Sequence, residues 1–147
     1  MTFTGLDTFD TTIQETNVWL KHLMAGLDTE DRREAYHALR ATFHVLRDRL
    51  PAENAVHFAQ QLPMLLRGLF FENWHIAATP TTERHIAEFT ERIGAELPPT
   101  SGLNTEQAVR ASFAAMWERM DAGEVRKTIR TLPSELRELW PHEARQL

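Results

Sequence analysis

The sequence predicts an all-α protein, a bundle of about seven or eight short helices built from two tandem, pseudo-symmetric repeats. Three observations carry that expectation. Apolar residues recur at steps of three and four along most of the chain, and no segment keeps the two-residue alternation of a half-buried strand. Prolines and short polar clusters break these stripes at helix-length intervals. The stretch Ala38 to Phe70 aligns without a gap on Ala108 to Trp140, and eleven of the 33 pairs are identical. Ordinary composition accounts for roughly two or three.

Phe9, Ile13, Leu20, Leu23 and Leu27 lie on one stripe of a first helix, and Gly26 with Asp28-Thr29-Glu30 supplies a stop and a fresh start. Leu39, Phe43, Leu46 and Leu50 share one face of a second helix that ends before Pro51, and Arg40, Arg47 and Asp48 occupy its other face. A third helix begins near Pro51 or Ala52 and turns Ala55, Phe58, Ala59 and Leu62 inward. Pro63 lacks an amide hydrogen, so the chain breaks at Leu62-Pro63 and a fourth helix runs to about Glu72, carrying Leu65, Leu66, Leu69 and Phe70. Gly68 inside that helix costs about 1 kcal/mol of helix propensity, which suggests a second helix passing close by.

After a linker at residues 77–82 the pattern returns. Ile86, Phe89, Ile93 and Leu97 restate the first stripe, and Asn104-Thr105-Glu106 echoes Asp28-Thr29-Glu30. Val109, Phe113, Met116 and Met120 form the second stripe, Val125, Ile129 and Leu132 the third, and Leu136, Leu139 and Trp140 the fourth, closed by Pro141. The repeats are expected at approximately 9–74 and 82–141, within a single domain spanning 1–147. Each exposes an apolar face, and packing the two faces together about a pseudo-twofold axis buries both.

Composition narrows the function. At 147 residues the chain sustains a core without metal or disulfide help. The net charge of -5 is shared as -3 over residues 1–74 and -2 over residues 75–147, so neither half carries the basic field that nucleic acid requires. The absence of cysteine excludes thiol chemistry and fits a reducing compartment. Met1 to Asp10 lacks the basic and apolar segments of a signal peptide, and the longest greasy run, Leu62 to Phe71, is too short to span a membrane. Cytoplasmic residence, with no membrane partner, is the expectation.

The run Leu46-Arg47-Asp48-Arg49-Leu50-Pro51, the longer run Gln61 to Trp74, and Leu132-Pro133-Ser134-Glu135-Leu136-Arg137-Glu138-Leu139-Trp140 resemble the uncharacterised bacterial family catalogued as domain of unknown function 2267. The resemblance spans about residues 8 to 141. It implies a small, soluble, all-helical bacterial protein with two similar halves, and no activity, cofactor or catalytic residue.

The chemistry-bearing residues form no reaction centre in the sequence. Glu72 and His75 have the Glu-x-x-His spacing of di-iron bundles, but no second such motif exists, and a capped helix end is the simpler role. His44 with Asp48, and Glu53 with His57, stand one turn apart, where a proton or divalent ion could sit or two solvated side chains could simply coexist. His37 and His44 are two turns apart, too far for one metal. Ser101, Ser112 and Ser134 lack a nucleophile elbow, and the glycines form no phosphate cradle. The arginine pairs Arg40/Arg110, Arg49/Arg119 and Arg67/Arg137 could converge on an anion or serve local ion pairs within each copy.

No catalytic, cofactor or metal residue is therefore assigned. The expected role is a non-enzymatic interaction or assembly module, as a homo-oligomer or with a protein partner. Its candidate surface is Arg67, Phe70, Phe71, Trp74 and His75. The alternative is a small-ligand binder with an apolar pocket between the two repeats.

Overall fold

A computed structural model describes residues 3–146, and two long helices, one from each half of the chain, form its centre. In chain order the helices are α1 (Asp7–Leu27), α2 (Arg32–Arg49), α3 (Ala52–Ala59), α4 (Met64–Phe71), α5 (Ile86–Glu96), α6 (Thr105–Arg119), α7 (Ala122–Arg130) and α8 (Ser134–Arg137). Single 3₁₀ turns follow α4 at Ile76–Ala78 and α8 at His142–Arg145. No strand occurs among the described residues. The all-α expectation holds.

Central α2 packs against α1, α3, α4, α5 and α6, while α6 also meets α1, α5 and α7. Small residues allow the close approach: Ala35, Ala38, Ala41, Ala108, Ala111 and Ala115 are all buried. Two aromatic groups fill the larger spaces. Phe43 meets Trp19 edge-on at 6.1 Å and Phe70 at 5.5 Å, and Phe70 stacks on Phe58 at 5.3 Å. Phe113 lies flat against Trp140 at 3.8 Å with Phe89 at 6.3 Å. Each fully buried ring contributes about 1.5–3 kcal/mol of transfer free energy, so this core dominates the stability.

Boundaries fall at equal spacing in the two halves. α2 and α6 end at Arg49 and Arg119, α3 and α7 start at Ala52 and Ala122, and α4 and α8 start after Pro63 and Pro133. Those prolines have nearly the same backbone, φ -55°, ψ 150° and φ -56°, ψ 150°. At the 70-residue offset Thr105 lies beside Ala35, so α2, starting at Arg32, is nearly one turn longer than α6.

Three local expectations need correction. Asp28 does not open α2; it ends α1 in the left-handed region (φ 53°), and the cap is Asp31, whose carboxylate accepts the Arg33 N–H. Aspartate caps an N-terminus and also tolerates the left-handed backbone, so residue type alone does not separate the two positions. Phe9, placed on the inner stripe, is 46% exposed because the N-terminal turns of α1 overhang the bundle, and the buried ring is Trp19. Gly68 is not crossed by another helix, since a Cβ built there meets nothing within 4 Å. The close crossing is at Gly26, where a Cβ would lie 3.0 Å from that of Ala111 on α6.

Two short helices borrow caps from distant elements. Proline before α4 offers no side-chain acceptor, and the Leu65 N–H instead donates to Thr12 Oγ1 of α1 at 2.9 Å. At the start of α5 the Ile86 N–H donates to Glu135 Oε2 of α8 at 2.7 Å. That bond, with the His85 side chain next, holds the Glu135 carboxyl below its usual range.

Candidate functional site

One face of α2 grips the C-terminal end of α4. Arg40, His44 and Arg47 are spaced four and three residues apart, so they lie along one side of the helix and meet the orphan carbonyls where α4 ends. Arg47 Nη1 donates to the carbonyls of Phe70 (2.9 Å) and Glu72 (2.8 Å), and its Nε donates to Asp48 Oδ1 at 2.9 Å. The Arg47 side chain is only 3% exposed. An outward-facing Arg47 was the expectation; the helix terminus supplies partners that make its burial tolerable. His44 Nε2 lies 2.7 Å from the Leu69 carbonyl, which only accepts, so that nitrogen carries the hydrogen. Burial holds the His44 pKa below its usual value, opposed by the Leu69 hydrogen bond; Arg47 and Arg40 depress it further and Glu96 raises it. Arg40 completes the clasp with an ion pair to Glu72 Oε1 at 2.8 Å.

This arrangement disposes the sequence candidates. His44 and Asp48 serve different partners, and Glu72 is the C-terminal cap of α4, engaged by Arg40. His75 is exposed at the head of the next 3₁₀ turn. Glu53 and His57 approach to 3.9 Å on an exposed face. Among the described residues no three His, Cys, Asp or Glu side chains gather as a metal site. Ser112 is buried and donates to the Ala108 carbonyl at 2.8 Å.

Of the paired arginines, Arg40, Arg67, Arg110 and Arg137 bond within their own half, whereas Arg49 reaches into the second. Arg67 donates to the Ala59 and Leu62 carbonyls and Arg137 to the Arg130 and Leu132 carbonyls, so each ties its own helix to the end of the one before. Arg110 reaches Glu106 and the Glu138 carbonyl, and Arg49 the Glu83 carbonyl.

The predicted aromatic cluster divides. Phe70 is wholly buried, whereas Phe71 is half-buried and stacks on Trp74 at 5.5 Å. Arg47 lies 6.0 Å from the Trp74 ring centre.

A trough along the outer side of α4 was not foreseen. Between α1, α2 and α4 a depression of about 430 Å³ is walled by Leu20, Tyr36, Leu39, Leu65 and Leu69, with Glu72 at one end. A second, also about 430 Å³, lies between Phe9, Thr12, Ile13 and Met64. The two share Leu65 and Gly68. Phe3 (88%), Leu6 (55%), Met64 (47%) and Leu65 (50%) are also exposed. The trough lies within the first half of the chain. Between the halves, buried alanines and Gly26 bring α1, α2 and α6 close together, and a depression of about 260 Å³ that both halves line is polar, with Asp31, Arg33, Glu34 and His37 facing Thr100 and Ser101. At the 70-residue offset, Met64, Leu65 and Gly68 correspond to Ser134, Glu135 and Glu138, so the apolar surface has no polar-free counterpart on α8.

Residues 16–139 match the family described as uncharacterized conserved protein (DUF2267). The chain belongs to that family. No curated protein matches it. The DUF2267 match takes in α2 through α8, including the α2–α4 clasp and the depression between α1, α2 and α4, whereas Phe3, Leu6, Phe9, Thr12 and Ile13 precede it. No helix among the described residues is long and apolar enough to cross a membrane.

Proposed function

We propose that this DUF2267 protein is a non-enzymatic interaction module whose working surface is the trough along α4, carried on two copies of one helical unit at approximately 9–74 and 82–141. Equal helix boundaries and the recurring proline starts support the duplication. One observation carries the interaction reading: Phe9, Met64 and Leu65 line one hollow between α1 and α4 and are about half exposed, and Phe3 and Leu6, which precede α1, are exposed too. The largest apolar patch on an ordinary monomer is about 300–600 Å² and is often functional. A photo-activatable crosslinker at position 65, used in the cell that makes the protein, should give adducts of discrete mass, whereas one at exposed Glu91 should not. No adduct at 65, or equal adducts at both positions, would refute the reading.

The runner-up is a small apolar ligand, favoured by a depression within the roughly 300–1,000 Å³ range of ligand pockets. Native mass spectrometry of freshly purified protein should then show a bound species of a few hundred daltons that is lost on Gly68→Phe.

A further inference from the structure

We infer that the outer face of α7 docks an acidic segment of a partner protein, held by Arg126, Lys127 and Arg130 with Arg119 and Arg145 at the margins. This face is separate from the trough on α1, α2 and α4 and does not depend on it. The buried residues of α7 are Val125, Thr128 and Ile129, so positions 126, 127 and 130 share its outward side. Arg119, Lys127 and Arg130 are exposed, and Arg126 and Arg145 are half-buried. Arg145 belongs to the 3₁₀ turn that packs against α7.

Unused donors are the first argument. Of the chain's 16 lysines and arginines, five pair with carboxylates and three more donate to carbonyls. Of the eight left without either partner among the described residues, these five gather around one helix. Glu118, Asp121, Glu124 and Glu143 lie nearby in the chain, yet none is ion-paired to them. Asp121 instead caps α7 by accepting the Glu124 N–H at 3.1 Å. Cations in the last turn suit the helix dipole, which explains their tolerance there and leaves their hydrogen-bond donors unfilled.

Geometry supplies the second argument. Arg126 lies over the Trp117 ring at 5.0 Å, which holds the guanidinium in place and lowers the cost of ordering it against a carboxylate. Arg126 and Arg130 stand one turn apart, about 6 Å by helical rise, and an extended chain presents alternate side chains about 6.6 Å apart. A Glu-x-Glu segment lying along α7 therefore meets both in register. At the 70-residue offset, α3 carries Val56, His57 and Gln60 at the positions of Arg126, Lys127 and Arg130, so the first half does not repeat this field.

Width decides the class of partner. The 9 residues of α7 span about 13 Å. A bilayer or a nucleic-acid duplex is far broader and would also press on the neighbouring carboxylates of a chain whose net charge is -5. One extended peptide can follow the cations alone.

Fluorescence anisotropy of the full chain with a fluorescein-labelled peptide of about 12 alternating Glu and Gly residues tests this. A Kd below about 100 µM is expected at about 50 mM salt, weakening about fivefold or more at about 300 mM, with no binding of the matching Gln-Gly peptide. Lys127→Gln with Arg130→Gln removes two exposed charges that make no contact the fold needs, and should weaken binding about tenfold. Lys21→Gln with Arg84→Gln removes the same charge elsewhere on the surface and should leave binding within about twofold. A peptide that does not bind, a Gln-Gly peptide that binds equally, or equal losses in the two double variants would overturn the proposal. Tighter binding of an oligothymidine of about 12 nucleotides, or of vesicles with about 30% phosphatidylserine, through Lys127 and Arg130 would overturn it as well.

Discussion

Replacing Arg47 by methionine separates a buried charge clasp from a decorative one. The substitution keeps most of the aliphatic stem and removes three hydrogen bonds at 2.8 to 2.9 Å, to the Phe70 and Glu72 carbonyls and the Asp48 carboxylate. Hydrogen bonds to a charged donor are worth about 1.5–3 kcal/mol each. Glu72 is exposed and its carbonyl recovers water, and Asp48 is partly solvated, so the uncompensated loss is concentrated at Phe70. A net destabilisation of about 3 kcal/mol follows, near the low end for breaking a buried charged group's network. With an unfolding entropy of about 2.1 cal/mol/K per residue over 147 residues, the melting temperature falls by about 10 °C. Arg40→Met is the control: its pair with Glu72 has side-chain exposures of 26% and 46%, and its removal should cost less than about 1 kcal/mol. Urea unfolding of both variants, with unchanged m-values, measures the difference. If Arg47→Met lies within about 1 kcal/mol of the wild type, or matches Arg40→Met, the clasp does not hold α4 in place.

Further outcomes test other parts of the fold. Gly68→Ala should stabilise by about 0.5–1 kcal/mol because its Cβ meets open space, whereas Gly26→Ala should destabilise by about 1–2 kcal/mol through its clash with Ala111; thermal shifts of the same sign contradict this. Thr12→Val should cost about 1 kcal/mol in chemical unfolding, since the Leu65 N–H loses its acceptor, and no loss would show that water replaces it. His44 has a folded pKa below 6.5, so below pH 6.5 the unfolded chain takes up a proton that the folded chain resists; stability present above that pH is lost as pH falls through the lower folded value. His44→Gln should flatten the fall in urea midpoint as pH drops below 6.5, and an unchanged slope argues against it. Glu88 and Glu135, both lowered by backbone hydrogen bonds first, add a further loss as pH drops below 4.5.

Helix positions were legible in the sequence where a proline and an apolar stripe agreed. Pro51, Pro63 and Pro133 each set a start that propensity alone leaves loose, and Phe43, Phe58, Phe113 and Ile129 sit in the core as their spacing requires. What escaped was set by partners distant in the chain. Periodicity marks the face holding Arg40, His44 and Arg47 as polar, but it says nothing of a helix terminus folding back onto that face 23 to 25 residues later. Glycine composition cannot distinguish Gly26, which admits a neighbour, from Gly68, which has none. The trough escaped for the same reason. Leu65 and Phe9 look like core residues in a linear pattern and become surface residues because α1 and α4 form the bundle's rim.

Helix α4 is fastened at its tips by Thr12 and by Arg40, His44 and Arg47, and along its inner face by Leu66 and Phe70, which leaves Gly68 on its outer face free of structural duty. Residue 68 can therefore gain bulk without disturbing the scaffold, filling or roughening the channel beside it. Selection for a new binder, or a designer seeking one, has a single codon to turn as a dial.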